Sequence, residues 1–173
     1  MPEMIYDDPE NLAILSPTHR IDYIVVHHSL TKDGAVVDAA AIRKYHMQVN
    51  GWSDIGYHFL VEKVNDEFKI VEGRSLLKPG AHCKDGGFNH KSIGVCVVGN
   101  WDNEAPPAPQ WNLACRLVYK LAQTFYVPFN RIIGHREAQA LSGVPEWMRK
   151  SCPGKAFDMT KFRQDVGGSR AVV

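Results

Sequence analysis

Cysteine is scarce in this chain: Cys83, Cys96, Cys115 and Cys152 are the only four among 173 residues. So few cysteines in a chain of this length argue against a fold held together by disulfides. No Cys-x-x-Cys sequence occurs, which excludes a zinc finger of the usual spacing. Cys96 lies in an apolar, strand-like run and Cys115 in an amphipathic helical pattern, so we expect both in the core.

Long apolar runs and a strong net charge are also missing. No apolar run reaches the roughly 18 residues of a membrane span, so we predict no membrane insertion. Residues 1–20 are acidic and lack a basic start followed by an apolar stretch. We therefore expect no secretory signal, and synthesis in the cytoplasm. The formal net charge of +1 argues against binding to nucleic acid, which needs a concentrated basic face.

The remaining composition is that of an ordinary globular domain. Hydrophobic residues make up 45% of the chain and charged residues 23%, and the length suits one domain with its own core. No internal repeat or linker divides the sequence. We predict an irregular N-terminal arm at residues 1–20, which prolines interrupt, one folded domain at residues 21–166, and a flexible tail at residues 167–173.

Strand and helix patterns alternate along the chain. The predicted strands are residues 21–28, 57–63, 68–72, 92–98 and 132–133, and the predicted helices are residues 37–50, 111–125 and a last turn at 160–165. Turns are expected at Asp33-Gly34 and Asn65-Asp66, the second closing a hairpin, and a long loop at residues 76–91. The first strand is expected at the centre of a sheet, because its run is apolar on both faces. The alternation predicts an α/β fold with a mixed central sheet flanked by helices.

One histidine and one cysteine lie where ordered elements are expected to end. His135 follows Ile132-Ile133 and a glycine that breaks the strand, and Cys152 precedes a proline. They can supply two ligands to a tetrahedral zinc, and His27-His28 at the end of the first strand could supply a third. Three ligands from distant segments leave one position open, as in catalytic sites. Singly, His135 could be only a loop residue and Cys152 only a small buried hydrophobic residue.

Five short motifs occur in order along the chain. They are residues 26–29 (VHHS), 51–59 (GWSDIGYHF), 89–95 (NHKSIGV), 133–137 (IGHRE) and 150–154 (KSCPG). Together they resemble the zinc-dependent N-acetylmuramoyl-L-alanine amidases of the bacteriophage-lysozyme and peptidoglycan-recognition-protein family, over about residues 21–163. The resemblance implies one bound zinc ion and hydrolysis of the amide bond between N-acetylmuramic acid and the L-alanine of peptidoglycan. It also implies a mixed sheet flanked by helices.

Carried over position by position, the resemblance implies that His27, His135 and Cys152 ligate the zinc. The family's ligand is the first histidine of the pair, whereas the apolar pattern does not choose between His27 and His28. The resemblance also implies that Tyr57 orients the attacking water or transfers protons, and that Lys150 stabilises the oxyanion of the tetrahedral intermediate. Taken alone, Tyr57 could be a strand residue covering the core, and Lys150 a solvated surface charge.

Three other aromatic or histidine residues in or near the motifs keep more than one interpretation. His82 could line the substrate groove or be an exposed loop histidine, and Trp52 could form the floor of the groove or simply pack. Strand alternation places His58 opposite Tyr57, in a core or supporting role. His46 is expected to pack within its helix.

The motifs as a set predict a cell-wall-lytic enzyme of the phage endolysin kind, a monomer that acts on peptidoglycan after release. A non-catalytic peptidoglycan-binding module and a zinc peptidase that cuts within the stem peptide are the alternatives. Non-catalytic recognition proteins of the family usually lack the ligand cysteine, which this chain keeps at Cys152, and the peptidases usually have an acidic ligand instead. The N-terminal arm and residues 139–149 have no counterpart that we can assign in the family.

Overall fold

Six β-strands form one sheet in the computed structural model, which describes residues 3–31 and 38–169. The strands are β1 (Ile5–Tyr6), β2 (Tyr23–His28), β3 (Phe59–Val64), β4 (Glu67–Glu72), β5 (Ser92–Val97) and β6 (Ile132–Gly134). Five α-helices in the same residues are α1 (Ala39–Gln48), α2 (Phe88–Lys91), α3 (Ala108–Thr124), α4 (His135–Leu141) and α5 (Met159–Gly168). None of these helices has the length and apolar composition that crossing a bilayer requires.

The strand order is β1-β4-β3-β5-β2-β6, and the sheet is mixed as predicted. Strand β2 runs parallel to both β5 and β6, and β3 runs parallel to β5. Strands β3 and β4 form the predicted antiparallel hairpin. Its two turn residues, Asn65 and Asp66, have positive φ angles of 50° and 66°, the conformation that a tight two-residue hairpin turn needs.

Helices cover both faces of the sheet, which explains why β2 is apolar on both sides. Ile24 and Val26 pack in a core cluster with residues of α3 and α5. Val25 points to the opposite face and packs with Ile133 and with Ala138 of α4. The predicted central position of this strand is therefore confirmed, since it has a neighbouring strand on each side and helices above and below.

The observed bounds of the helices and of the long loop differ from the predicted ones at their ends. Helix α1 spans Ala39–Gln48, whereas residue 37 and the predicted turn at Asp33-Gly34 lie outside the described residues. Helix α3 begins three residues earlier than predicted, at Ala108. The long loop predicted at residues 76–91 is wrong at its end, because α2 occupies Phe88–Lys91.

Helix α4 was not predicted at all. The strand β6 does end at Gly134, as expected, but the chain turns directly into the helix. The Glu137 carboxylate accepts a hydrogen bond from the Gly134 N–H at 2.9 Å. The third residue of the helix therefore caps the N-terminus of the same helix.

The described parts of the two terminal segments are more regular than predicted, whereas residues 1–2 of the predicted arm and 170–173 of the predicted tail lie outside the described residues. The N-terminal arm adds β1 to the edge of the sheet, antiparallel to β4, and Leu12 is buried in the core. At the other end, α5 continues to Gly168, so residues 167 and 168 belong to a helix rather than to the predicted tail. All four cysteines are free and buried, in agreement with a fold that does not depend on disulfides.

Candidate active site

His27 and His135 lie beside each other at the carboxyl edge of the sheet. Strands β2 and β6 are parallel and pair Val26 with Gly134. The residue that follows each of this pair is a histidine: His27 in β2, and His135 at the start of α4. The two ring centroids are 4.8 Å apart. The carboxyl ends of parallel strands are where open α/β sheets usually build their sites.

The loop that carries Cys152 closes over this edge. The backbone N–H of Arg136 donates to the Cys152 carbonyl at 2.9 Å. A side chain at Gly134 could not be accommodated, because its Cβ would lie 2.7 Å from Cδ of Pro153. The glycine therefore lets the loop approach β6, and the Cys152 Sγ lies 3.5 Å from Nδ1 of His27.

The three side chains His27, His135 and Cys152 form a cluster that could hold a metal ion. Their donor atoms lie within 4.8 Å of one another, and all three residues are buried. Two imidazoles and one thiol are a donor set that catalytic zinc sites use, with the fourth position open. In the described part of the chain, a second such group combines Cys83 and Asp85 with the same His135.

Strand alternation separates the two neighbouring histidines, which the sequence pattern did not. His27 lies on the face of β2 that also carries Val25, where the cluster forms. His28 points to the other face, and its Nδ1 accepts a hydrogen bond from the Trp101 N–H at 3.2 Å. Both residues are buried, so they differ in the face of the sheet to which the side chain points and not in exposure.

Burial sets the protonation of the cluster in the absence of a cation. It lowers the pKa of His27 well below its usual value, with further contributions from His135 and His82. Burial also lowers the pKa of His135 to about 4 and raises the pKa of the Cys152 thiol to about 12. At neutral pH the imidazoles are therefore neutral and have a lone pair to offer, whereas the thiol must release a proton to bind a cation.

A cavity of about 480 Å³ opens over the cluster. Its lining includes all five site residues predicted from the sequence, together with several others: His27, His28, Ser29, Leu30, His46, Asn50, Trp52, Tyr57, Ala81, His82, His135, Lys150, Ser151 and Cys152. The structure thus brings the five predicted site residues together around one groove. Ser29, Leu30 and Asn50 were missed because single polar or aliphatic residues in loops carry no distinctive pattern.

Tyr57 stands directly beside the cluster. Its ring centroid is 5.2 Å from that of His27. Burial raises the pKa of Tyr57 well above its usual value, and the neighbouring thiols of Cys96 and Cys152 act in the same direction. The phenol is therefore protonated at neutral pH and can donate a hydrogen bond into the groove.

Lys150 is exposed at the groove, and a buried glutamine fixes its backbone. The Lys150 N–H donates to Oε1 of Gln139 at 2.7 Å, and Nε2 of Gln139 donates to Asp85 at 3.2 Å. Gln139 belongs to α4, within the residues 139–149 that had no assigned counterpart. Its positioning role left no sequence signal, because the helix itself was not predicted.

Three further histidines have more specific surroundings than the sequence suggested. His82 is buried, so the exposed-loop alternative is wrong, and it contacts His27 directly. His58 is buried, as expected, and its ring accepts the Gly94 N–H at 3.0 Å. His46 does pack, with its ring 4.6 Å from that of Trp52, but both side chains also line the groove.

Comparisons with known proteins agree with this geometry. The family model described as N-acetylmuramoyl-L-alanine amidase matches residues 17–155. The endolysin of Escherichia phage T7 is 33% identical over 147 residues, which cover 82% of this chain and 84% of that protein. The endolysin of Enterobacteria phage T3 is 37% identical over 152 residues, with coverages of 84% and 87%.

A solved structure shares the same fold. The endolysin N-acetylmuramoyl-L-alanine amidase LysCS from Clostridium intestinale URNW superposes with a TM-score of 0.70, covering 91% of this chain and 92% of that chain. The sequences are 23% identical, so the likeness concerns the arrangement of the sheet and helices.

Proposed function

The chain belongs to the N-acetylmuramoyl-L-alanine amidase family, and we propose that it performs this peptidoglycan hydrolysis with one zinc ion held by His27, His135 and Cys152. The activity is cleavage of the amide bond between N-acetylmuramic acid and the L-alanine of the stem peptide. The observation that carries the zinc proposal is the cluster of three buried donor atoms within 4.8 Å of one another, at the floor of the groove.

The donor set suits this chemistry. His27, His135 and Cys152 would hold the zinc, which would supply activation of water and polarisation of the scissile carbonyl. The two histidines offer neutral nitrogen donors because burial disfavours their charged forms. Cys152 contributes a negative charge once its thiol has released a proton. The three donor residues come from three separate segments, and all three line the groove in which the substrate would bind.

Tyr57 orients the attacking water in this proposal. An amide is a poor electrophile, so the nucleophile must be held in line with the carbonyl carbon for the reaction to be fast. The Tyr57 phenol is protonated, because its pKa is raised well above the usual value. It therefore acts as a hydrogen-bond donor beside His27, and at neutral pH it is not the group that removes a proton from water.

Lys150 stabilises the negative charge that develops on the carbonyl oxygen. Its ammonium group is carried by the loop that also carries Cys152, so charge and ligand are positioned together. The hydrogen bond from the Lys150 backbone to Gln139 holds the start of that loop in place. A fixed positive charge at the site of a developing oxyanion lowers the energy of the tetrahedral intermediate.

In the cell, we propose that the enzyme degrades the bacterial cell wall as a monomeric phage endolysin. The phage endolysins to which it is similar cover more than four fifths of its length. The net charge of +1 gives no support for nucleic acid as a partner. The partner is peptidoglycan itself, held in the groove around Tyr57 and Lys150.

A digest of purified peptidoglycan tests this proposal. The metal-loaded protein and a chelator-treated control are incubated with the polymer, and the soluble products are identified by mass spectrometry. We expect free stem peptides that begin with L-alanine, and only in the sample with zinc. Intact stems despite bound zinc would indicate the non-catalytic binding module, and cuts inside the stem would indicate a peptidase.

A further inference from the structure

We propose that His82 is a positioning residue for the metal centre, which holds the His27 ring in the tautomer whose Nδ1 lone pair faces Cys152. The inference rests on the proposed zinc site. His27 presents its two ring nitrogens to different partners: Nδ1 lies 3.5 Å from the Cys152 Sγ, and Nε2 lies 2.9 Å from Nδ1 of His82. The nitrogen that faces the cluster can bind a cation only if the proton is on the other one.

A directional chain of hydrogen bonds decides where that proton lies. It ends at the backbone carbonyl of Phe88, which can only accept. The Ser92 hydroxyl donates to this carbonyl at 2.6 Å, so the Ser92 oxygen is free to accept from Nε2 of His82 at 3.3 Å. Nδ1 of a neutral His82 then has a lone pair, and Nε2 of His27 must donate to it.

The surroundings of His82 hold its ring in the one orientation that completes this chain. A Cβ at Gly94 would lie 2.5 Å from the His82 ring, and one at Gly80 would lie 2.4 Å from it, so both positions leave space that the ring fills. The backbone N–H groups of His82 and Cys83 both donate to Oδ1 of Asn89, at 2.9 and 2.8 Å. The ring is thus fixed by its loop and by its neighbours, independently of substrate.

Three variants separate a positioning role from a packing role. In His82→Leu the acceptor is lost, and in His82→Asn the amide oxygen can replace Nδ1 as acceptor. Zinc affinity is measured by competition with a chromophoric chelator. We expect a loss of about 10- to 100-fold in His82→Leu and near-complete recovery in His82→Asn. If His82→Leu does not fold, Ser92→Ala replaces it, because that change removes the group that fixes the His82 tautomer. It should weaken zinc binding by less than the roughly 10-fold expected at minimum for His82→Leu.

A second readout needs no zinc. Long-range proton–nitrogen NMR spectra of the metal-free protein report the tautomer of His27. We expect the Nε2-protonated form in the wild type and a mixture of both forms in His82→Leu or Ser92→Ala. Unchanged tautomer and unchanged zinc affinity, with lower stability alone, would overturn the inference. Absence of zinc binding by the wild type would instead refute the proposed function, so the two failures are distinguishable.

Discussion

The backbone N–H of Arg136 donates to the carbonyl of Cys152 at 2.9 Å, and this bond joins the two segments that carry His135 and Cys152. The Arg136 guanidinium strengthens the connection, because it donates to the carbonyls of Ser151, Gly154 and Phe157. One side chain of α4 therefore fixes a loop that has no regular structure of its own. The position of the thiol depends on this clamp as much as on the loop sequence.

Replacing Arg136 with lysine should loosen the cysteine loop. Lysine keeps the charge and the backbone N–H but cannot reach three carbonyls in a fixed planar geometry. We expect the free energy of unfolding of the metal-free protein to fall by about 2 kcal/mol, measured by urea denaturation, and zinc affinity to fall with it. Arg116→Lys is the matched control, because Arg116 forms an exposed ion pair with Asp8. Equal zinc affinities in the two variants would show that the clamp is irrelevant to the metal.

Removing the thiol should remove the metal. In Cys152→Ala two neutral histidines remain, without the anionic ligand that binds zinc strongly. We expect loss of stoichiometric zinc at neutral pH, measured by elemental mass spectrometry after gel filtration, and no release of stem peptides. Cys115→Ala, a buried cysteine in α3, should retain both properties. A Cys152→Ala protein with full activity would refute the ligand assignment.

The sequence contained enough to predict the sheet and to place the motifs, because β-branched apolar runs and an amphipathic helix such as α3 are local patterns. It could not distinguish His27 from His28. Helices bury both faces of β2, so its sequence does not alternate between apolar and polar residues and does not show which face each side chain is on. Only the pairing with β6 and the direction of each ring separate them. That information belongs to the tertiary structure.

Supporting residues were harder to predict than the chemically active ones. His82 looked like a loop histidine because its burial depends on the close approach of Gly80 and Gly94. Gln139 looked like an ordinary polar residue because α4 was not predicted. The N-terminal cap of this helix is at Gly134, which the sequence pattern indicates only as the end of a strand. In both cases the role comes from contacts between segments that are far apart in sequence, which periodicity does not report.

Lys150 should contribute to turnover and not to metal binding. We expect Lys150→Ala to keep zinc and to lower kcat by about a hundredfold, the effect of losing one group that stabilises an oxyanion. The measurement is the initial rate of stem-peptide release at saturating peptidoglycan. Lys155→Ala is the control, because Lys155 is exposed on the same loop but does not line the groove. Equal rates in the two variants would exclude Lys150 from the mechanism.

The Tyr57 hydroxyl should contribute to the catalytic rate and not to zinc binding. Tyr57→Phe keeps the ring that packs against His27 and removes only the hydrogen-bond donor. We expect zinc content to be unchanged and kcat to fall about a hundredfold. Tyr126→Phe, at a side chain that is 92% exposed, should have no effect. Loss of zinc in Tyr57→Phe would show that the hydroxyl has a structural role instead.

Glu62 should make stability depend on pH. This buried residue of β3 accepts the Ala39 N–H at 2.6 Å, at the start of α1. Burial raises the pKa of Glu62 to about 7, and Asp38 and Glu3 add to the increase, although the bond to Ala39 opposes it. The folded state therefore binds a proton that the unfolded state, with an ordinary carboxyl pKa of 4.5, has already released. The contribution of Glu62 to stability is complete below pH 4.5 and is lost as the pH rises through about 7.

Glu62→Gln isolates this contribution, because glutamine keeps an oxygen for the Ala39 N–H and cannot ionise. The free energy of unfolding of each protein is measured by urea denaturation at pH 5 and at pH 8. We expect the free energy of unfolding of the variant, relative to that of the wild type, to be about 2 kcal/mol higher at pH 8 than at pH 5. The buried His58 and His135 have pKa values of about 4 in the folded protein, so between pH 5 and 8 they ionise in the unfolded chain only. This contribution is common to both proteins and cancels in the difference. A difference between Glu62→Gln and the wild type that does not change with pH would mean that the Glu62 carboxylate is ionised in the folded protein throughout.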